Sequence, residues 1–309
     1  IRSGHKVLGI DSLNNYYSVK LKKQRIAKLK KDWSKKFQFF KSDLSDEKVI
    51  LRLLKKNRIT IIIHLAAQAG VRHSLKKPMD YVKNNIVATT NLMEAARKFN
   101  KINHFLLAST SSVYASSVKM PFNEKDPADF PLQFYAATKR STELMAHSYS
   151  HLYGIPFTIL RFFTVYGPFG RPDMALFKFT KNILNNKKID VYNNGKMNRS
   201  FTYIDDAIGI LIKIIFKTPN THKKNKIPFN IINIGSKKTV NLLNFINFIE
   251  KKLNKKSIKK YLPLQGGDSV STKANTKKML SLYGLEPKIS IKDGISKFIS
   301  WYKKYYNVT

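Results

Sequence analysis

Short apolar runs alternate with amphipathic stretches through the first half of the chain. Residues 6–10 read Lys-Val-Leu-Gly-Ile and stop at Asp11; runs of the same character recur at 37–40 (ending near Asp43), 59–65, 104–108 and 157–162. Between them, residues 16–31, 46–57, 80–99 and 133–153 carry their apolar side chains at helical spacing, and Ser45 is placed to cap the helix over 46–57. Runs that are apolar without alternation predict strands buried on both faces. Such strands alternating with helices predict an α/β fold, a parallel sheet covered by helices, with ligands at the carboxyl ends of the strands. The second half is less regular. Turns are expected at 168–172, 194–195 and 266–267, and helices at 176–185, 205–217, 241–253 and 292–305. The break at Gly167-Pro168 predicts a larger domain over 1–164, to which 201–233 returns, and a smaller C-terminal one over 165–309.

The length of 309 residues suits one large α/β domain or two that share a cleft. A hydrophobic content of 43% excludes a wholly disordered chain. No apolar run reaches the roughly 18 residues of a membrane span; the nearest, 207–216, is broken by Lys213. Cysteine is absent, which excludes disulfides and thiolate metal sites, and no metal is expected. The net charge of +38 raises the possibility of a nucleic-acid partner. Yet the basic residues are 47 Lys and 10 Arg, spread along the whole chain. Phosphate and base recognition favour the planar arginine fork, so the excess reads as lysine on solvated faces and no nucleic-acid partner is expected. A basic nucleic-acid-binding protein stays as the alternative of another class, recognisable by salt-sensitive binding. A basic field also attracts nucleotides.

The chemistry gathers in a few places. Tyr135-Ala-Ala-Thr-Lys139 puts a phenol and an ammonium on one helical face, and a nearby cation favours the phenolate, a base. Tyr16 and Lys20 share that spacing without further context. The context at Tyr135 is Ser109-Thr-Ser-Ser-Val-Tyr114, at the carboxyl end of the strand over 104–108, where Thr110 can hydrogen-bond a substrate oxygen. Asp11, ending the first strand, suits the adenosine ribose of a dinucleotide and argues for NAD over NADP; Asp43 is placed for the adenine.

With these residues in view, the chain resembles the extended short-chain dehydrogenase/reductase family and, within it, the UDP-glucuronate 4-epimerases. The resemblance is carried by six blocks: His64-Leu-Ala-Ala-Gln-Ala-Gly-Val-Arg72, Tyr135 to Lys139, Leu144-Met-Ala-His-Ser-Tyr149, Arg161-Phe-Phe-Thr-Val-Tyr-Gly-Pro168, Gly170-Arg-Pro-Asp-Met-Ala175 and Arg199-Ser-Phe-Thr-Tyr-Ile-Asp-Asp206. It implies a Rossmann-like parallel sheet with a smaller C-terminal substrate domain. It implies NAD held by Asp11, Asn15, Asp43, Leu44, Leu65, Ala66, Ala67, Tyr135 and Lys139, with Lys139 depressing the tyrosine pKa. Tyr135 would be the catalytic base, with Thr110 as its hydroxyl partner. Asn85, Ser111, Ser112, Thr164, Arg171, Arg199 and Asp268 would face the sugar nucleotide, whereas Arg161, on a strand, suits a buried ion pair equally well. The family opens with a strand, a G-x-x-G-x-x-G turn and a helix, and Ile1-Arg-Ser-Gly-His5 resembles the end of that helix. The expectation is therefore a fragment, inactive as given.

The reaction implied is NAD-dependent 4-epimerisation of UDP-glucuronate to UDP-galacturonate through a 4-keto sugar. Related dehydratases resemble Thr-Asp-Glu-Val-Tyr at the loop after Thr110, and decarboxylases Thr-Ser-Glu-Val-Tyr. Here the stretch is Thr110-Ser-Ser-Val-Tyr114, with no general acid, which favours the epimerase; another nucleotide-sugar epimerase, a decarboxylase or a dehydratase remain the alternatives. A UDP-sugar partner, a homodimer without membrane attachment in this chain, and a cytoplasmic location are expected.

Overall fold

Each apolar run of the first half becomes a parallel strand in the computed structural model, which describes residues 1–114, 119–219 and 227–308. The chain opens with β1 (Val7–Asp11), α1 (Val19–Asp32), β2 (Phe37–Lys41), α2 (Glu47–Lys56) and β3 (Ile61–His64). Helices α3 (Val71–Lys76) and α4 (Pro78–Tyr81) follow, then a π-helical turn (Val82–Val87) and α5 (Ala88–Phe99). Next come β4 (His104–Thr110), α6 (Phe134–Tyr153), β5 (Phe157–Phe162), β6 (Thr164–Tyr166), α7 (Ala175–Leu184), β7 (Lys188–Tyr192), β8 (Asn198–Arg199), β9 (Phe201–Tyr203) and α8 (Ile204–Ile215). The chain ends with β10 (Phe229–Ile234), β11 (Val240–Asn241), α9 (Leu242–Leu253), β12 (Ile258–Leu262), α10 (Lys277–Tyr283) and α11 (Ile291–Tyr306).

The strands divide into sheets. The central one has four parallel strands in the order β10-β5-β4-β3, with Ile62 opposite Phe105, Leu107 opposite Ile159 and Ile232 opposite Leu160. Strands β1 and β2 pair with each other, Gly9 opposite Phe39, and with no other strand among the described residues. Both faces of the central sheet are covered. Phe105, Leu107, Phe157 and Ile159 pack under α2, α5 and α6 through Ile50, Leu92, Met93 and Ala146. On the other face, Leu106, Leu160 and Ile232 meet Ala207, Ile210 and Ile214 of α8 and Met279 of α10. Residues 220–226, inside the span 201–233, lie outside the described residues. The later elements gather around Phe177, Phe245 and Phe298, with the short pairs β6–β9, β7–β12 and β8–β11 at the rim.

Two local expectations change. The helix over 80–99 is three helical pieces, of which the middle one has the wider π turn. The cap of α2 is Asp46, whose carboxylate accepts from the Val49 N–H at 3.0 Å; the Ser45 N–H is held by Asp43 Oδ1 instead, at 2.9 Å. Both residues are capping types, and the turn at Asp43 decides between them.

Candidate active site

The carboxyl ends of β1, β2, β3 and β4 open into one cavity of about 720 Å³. Helix α6 crosses its floor with a buried stripe of Ala136, Lys139, Glu143, Ala146 and Ser150, and ends at Gly154 in the left-handed region. A lysine and a glutamate inside such a stripe are unusual, because burial disfavours both charges. Tyr135 and Lys139 from α6 reach the cavity together with Thr110, Ser111 and Ser112. Thr110 ends β4, and its hydroxyl oxygen accepts from the Ser112 N–H at 3.1 Å, fixing the turn that follows.

Turn residues 65–70 make the next wall. Leu65, Ala66, Ala67, Gln68, Ala69 and Gly70 all line the cavity. Gly70 has φ +107°, and a Cβ there would lie 2.5 Å from the Tyr16 Oη, so the tight approach requires glycine. The Tyr81 hydroxyl donates to the Gly70 carbonyl at 2.5 Å and holds this turn from below. Asp11 and Asp43 stand at the β1–β2 end, Leu44 beside them, and Thr164 and Arg171 close the opposite side.

Four expected site residues stand elsewhere. Asn85 is fully buried in the π turn; it accepts from the Gln68 N–H at 2.7 Å and donates to the Gln68 carbonyl and the Thr138 hydroxyl. It braces the cavity wall against α6 and is not among the residues that line the cavity. The cavity wall holds Asn14, while Asn15 is exposed beside it. Asp268 pairs with Arg72 at 3.1 Å, and Arg72 lies 3.8 Å over the Tyr192 ring. Arg199 donates to the carbonyls of Asn198, Ser269 and Val270. These last two belong to a separate cluster of turns.

The electrostatics of the pocket are dominated by burial. Burial pushes the Tyr135 phenol up, opposed by the Arg171 guanidinium and the Thr110 hydroxyl. Burial lowers Lys139 to about 8, and only the Glu143 carboxylate acts the other way. Lys139 was expected to draw the phenol down. The groups that draw the phenol down here are the Arg171 guanidinium and the Thr110 hydroxyl. His64 lies at the end of β3, bonded to the Thr89 hydroxyl at 2.9 Å, and burial with Lys139 nearby lowers it to about 3. It is therefore neutral.

Arg171 forks onto Asp173, 2.9 and 2.7 Å, and the Tyr16 hydroxyl donates to the same carboxylate at 3.3 Å. Burial raises the Asp173 carboxyl, but the arginine more than compensates and leaves it below its usual range. Arg161 is 1% exposed and forks onto Glu143, 3.0 and 2.7 Å; a position on a strand proves to be the buried ion pair. Sequence reading did not foresee Glu143, Ser109, Tyr16, Asp173 or Lys22. Lys22 bonds Asn14 at the cavity edge, and burial lowers it. Glu143 carried one signal, its place one turn after Lys139; the others converge only in space.

The lining of the cavity is of three kinds. Exposed carboxylates at one end accept hydroxyl donors, small side chains in the middle admit a flat ring system, and a phenol with hydroxyls stands at the other end. Among the described residues, no three His, Asp or Glu side chains gather as metal ligands, and no helix is long and apolar enough to cross a membrane.

Comparison with known proteins shows what the chain is similar to. Residues 1–235 match the model of the NAD dependent epimerase/dehydratase family. The chain is 44% identical over 316 residues to Protein CapI of Staphylococcus aureus, covering 99% of this chain and 93% of that one. It is 39% identical over 314 residues to UDP-glucuronate 4-epimerase 1 of Arabidopsis thaliana, covering 99% and 72%. The crystal structure of UDP-glucuronic acid 4-epimerase from Bacillus cereus, in complex with UDP-glucuronic acid and NAD, superposes with a TM-score of 0.88 at 34% identity, covering 98% and 93%.

Proposed function

The chain belongs to the NAD dependent epimerase/dehydratase family, and we propose that it interconverts UDP-glucuronate and UDP-galacturonate through a 4-keto sugar. One observation carries the choice within the family. Among the described residues the carboxylates lining the cavity are Asp11 and Asp43, at the β1–β2 end, while the positions after Thr110 are the hydroxyls Ser111 and Ser112. Water elimination calls for an acid beside the keto sugar, and the catalytic end of this cavity offers none. That supports epimerisation over dehydration or decarboxylation.

The roles follow from placement. Asp11 accepts from the adenosine ribose, Asp43 and Leu44 flank the adenine, and the turn of Leu65, Ala66 and Ala67 leaves room for the cofactor's flat rings. When bound, NAD supplies the acceptor and donor of the hydride at C4 of the sugar. Tyr135, as phenolate, takes the proton from the sugar 4-hydroxyl and later returns it, while Thr110 holds the oxygen. Arg171, released from Asp173, is suited to the sugar carboxylate or the diphosphate, with Thr164 beside it. Ser111 and Ser112 hydrogen-bond the carboxylate and keep it neutral to decarboxylation. Leu144, Leu152 and Tyr153 are exposed along α6 and support a homodimer through this helix.

The test is isotopic. UDP-glucuronate deuterated at C4 is expected to give UDP-galacturonate with the label retained, since the hydride leaves and returns without meeting water. Loss of label to solvent would exclude the redox route. Tyr135→Phe keeps the ring and removes the base; it is expected to lower kcat by about 10²-fold with little change in KM.

A further inference from the structure

Glu143 on α6 is an acidic side chain 1% exposed, and its two oxygens are shared by three elements. From β4, the Ser109 hydroxyl donates to Oε1 at 2.5 Å. From β5, Arg161 donates to both oxygens, and from α6 itself Arg140 donates to Oε2 at 3.1 Å. Ser109 directly precedes Thr110, and Glu143 follows Lys139 by one helical turn. We propose that Glu143 is a positioning residue: its carboxylate ties the strand end that presents Thr110 to the turn of α6 that presents Lys139, and so places a buried anion one helical turn from the Lys139 side chain. Its catalytic meaning rests on the function proposed above; its geometry does not.

The surroundings leave this duty to Glu143. Among the described residues, the charged and ionisable groups linked to Lys139 and Glu143 are Tyr135 and Arg140 on α6, with Asp129 paired to Arg140, His64 on β3, Tyr114 just after β4, with Glu124 acting on it, and Arg161 on β5. Three of them, with Lys139, are cations or neutral bases that resist another positive charge. Tyr114 donates to the Asn233 side chain at 2.7 Å, and its ring lies 4.7 Å from the Arg161 guanidinium, so it steadies the arginine. Burial pushes Lys139 down and only Glu143 holds it up. One guanidinium nitrogen of Arg161, Nη1, is buried without a partner among the described residues. The arginine is therefore committed to Glu143, and the two substitutions that break the pair act on Lys139 with opposite signs.

The experiment titrates Lys139 directly, in the whole chain labelled with 13C at lysine Cε, its signal assigned by its loss in Lys139→Arg. Glu143→Gln removes the anion and leaves the arginines, so the Lys139 midpoint is expected to fall by about one pH unit. Arg161→Met leaves the anion less shared, so the midpoint is expected to rise. A bracket that merely holds the fold together moves neither, or moves both the same way, and either result overturns the proposal. If either single variant fails to fold, Glu143→Leu with Arg161→Met replaces the pair by apolar side chains of similar volume, a change that buried pairs commonly tolerate. In that double variant a midpoint below that of wild type is expected, and an unchanged midpoint refutes the role. Turnover of UDP-glucuronate is followed in parallel, and the alkaline limb of kcat is expected to move to lower pH in Glu143→Gln. A wild-type protein that holds NAD and still does not turn over UDP-glucuronate refutes the proposed function, while the lysine titration still decides on Glu143.

Discussion

The two strands β4 and β5 are buried along almost their whole length, whereas β1 and β2 are exposed at one or more positions and half-covered at most others. The contrast runs through the site. The four-stranded sheet carries Thr110 at a strand end braced by Ser109, Glu143 and Arg161, and α6 lays Lys139 against the same brace. The β1–β2 pair carries Asp11 and Asp43 on exposed turns whose bonds are local, Asp11 to the Leu13 N–H and Asp43 to the Ser45 N–H. Reacting groups need fixed geometry, which close packing supplies. A carboxylate that meets ribose hydroxyls needs access to solvent before binding and gains little from a rigid frame.

The largest expected effect tests this difference in packing. Phe105 is fully buried in β4, its ring 4.6 Å from Phe157, while Phe39 in β2 is half-buried. Phe105→Ala is expected to cost about 3–5 kcal/mol, and Phe39→Ala less than about half of that. Equilibrium unfolding in guanidinium decides, and equal losses would erase the distinction between the sheets.

Acid is expected to strike the four-stranded side next. His64 in β3 and His104 in β4 are both buried, and burial lowers both. Their folded-state pKa values lie below the unfolded value near 6.5, so the unfolded chain binds more protons as pH falls. The stability they contribute is complete above about pH 6.5 and is lost progressively towards the folded value, about 3 for His64. Strands β1 and β2 contain no histidine. Hydrogen-exchange protection, corrected for the intrinsic rate at each pH, should fall more in β3 and β4 than in β1 and β2 between pH 7 and pH 5. A uniform loss of protection would show that both sheets open as one unit.

At the β1–β2 end the expected loss is in binding alone. Asp11→Asn retains an oxygen for the Leu13 N–H but loses the charge that, in the role proposed for Asp11, strengthens a ribose hydrogen bond. NAD affinity is expected to fall by about 10-fold, measured by calorimetry, with kcat at saturation and the unfolding midpoint unchanged. A fall in kcat instead would place Asp11 within the braced part of the site.

How much of this could be read from the sequence follows the same division. The mainly apolar runs at 104–108 and 157–162 predict buried strands; Thr110 follows from the end of the first, and Tyr135 and Lys139 from their spacing on one face of the helix over 133–153. The separation of β1–β2 from the other strands leaves no mark in periodicity, which reports faces and not neighbours. Asn85 sits in a run of helical spacing, and a π turn differs from an α turn only in its hydrogen bonds. Glu143, Ser109 and Arg161 lie on three elements, and only the register that sets Ser109 opposite Arg161 brings them under one carboxylate.

The smallest effect concerns the link between the two regions. Ile50 and Leu54 of α2 pack with Leu92 and Ala96 of α5 beneath the four-stranded sheet, while the turn before α2 rises from β2. Asn91 on α5 donates to the carbonyls of Leu44 and Ser45, fastening that turn from the other side. The α2 cap at Asp46 thus stands where the exposed pair is joined to the buried core. Asp46→Ala removes the acceptor of the Val49 N–H and the negative charge at the helix start, a loss of about 1 kcal/mol. Ser45→Ala, at the neighbouring position that the sequence favours as cap, is expected to leave stability unchanged. If the joint lies in α2, the loss in Asp46→Ala appears as faster hydrogen exchange in α2 and β2 with β4 still protected. A loss spread evenly to β4 would mean that the first turn of α2 belongs to the same cooperative unit as the catalytic strands, and the contrast between the two sheets would end at their exposure.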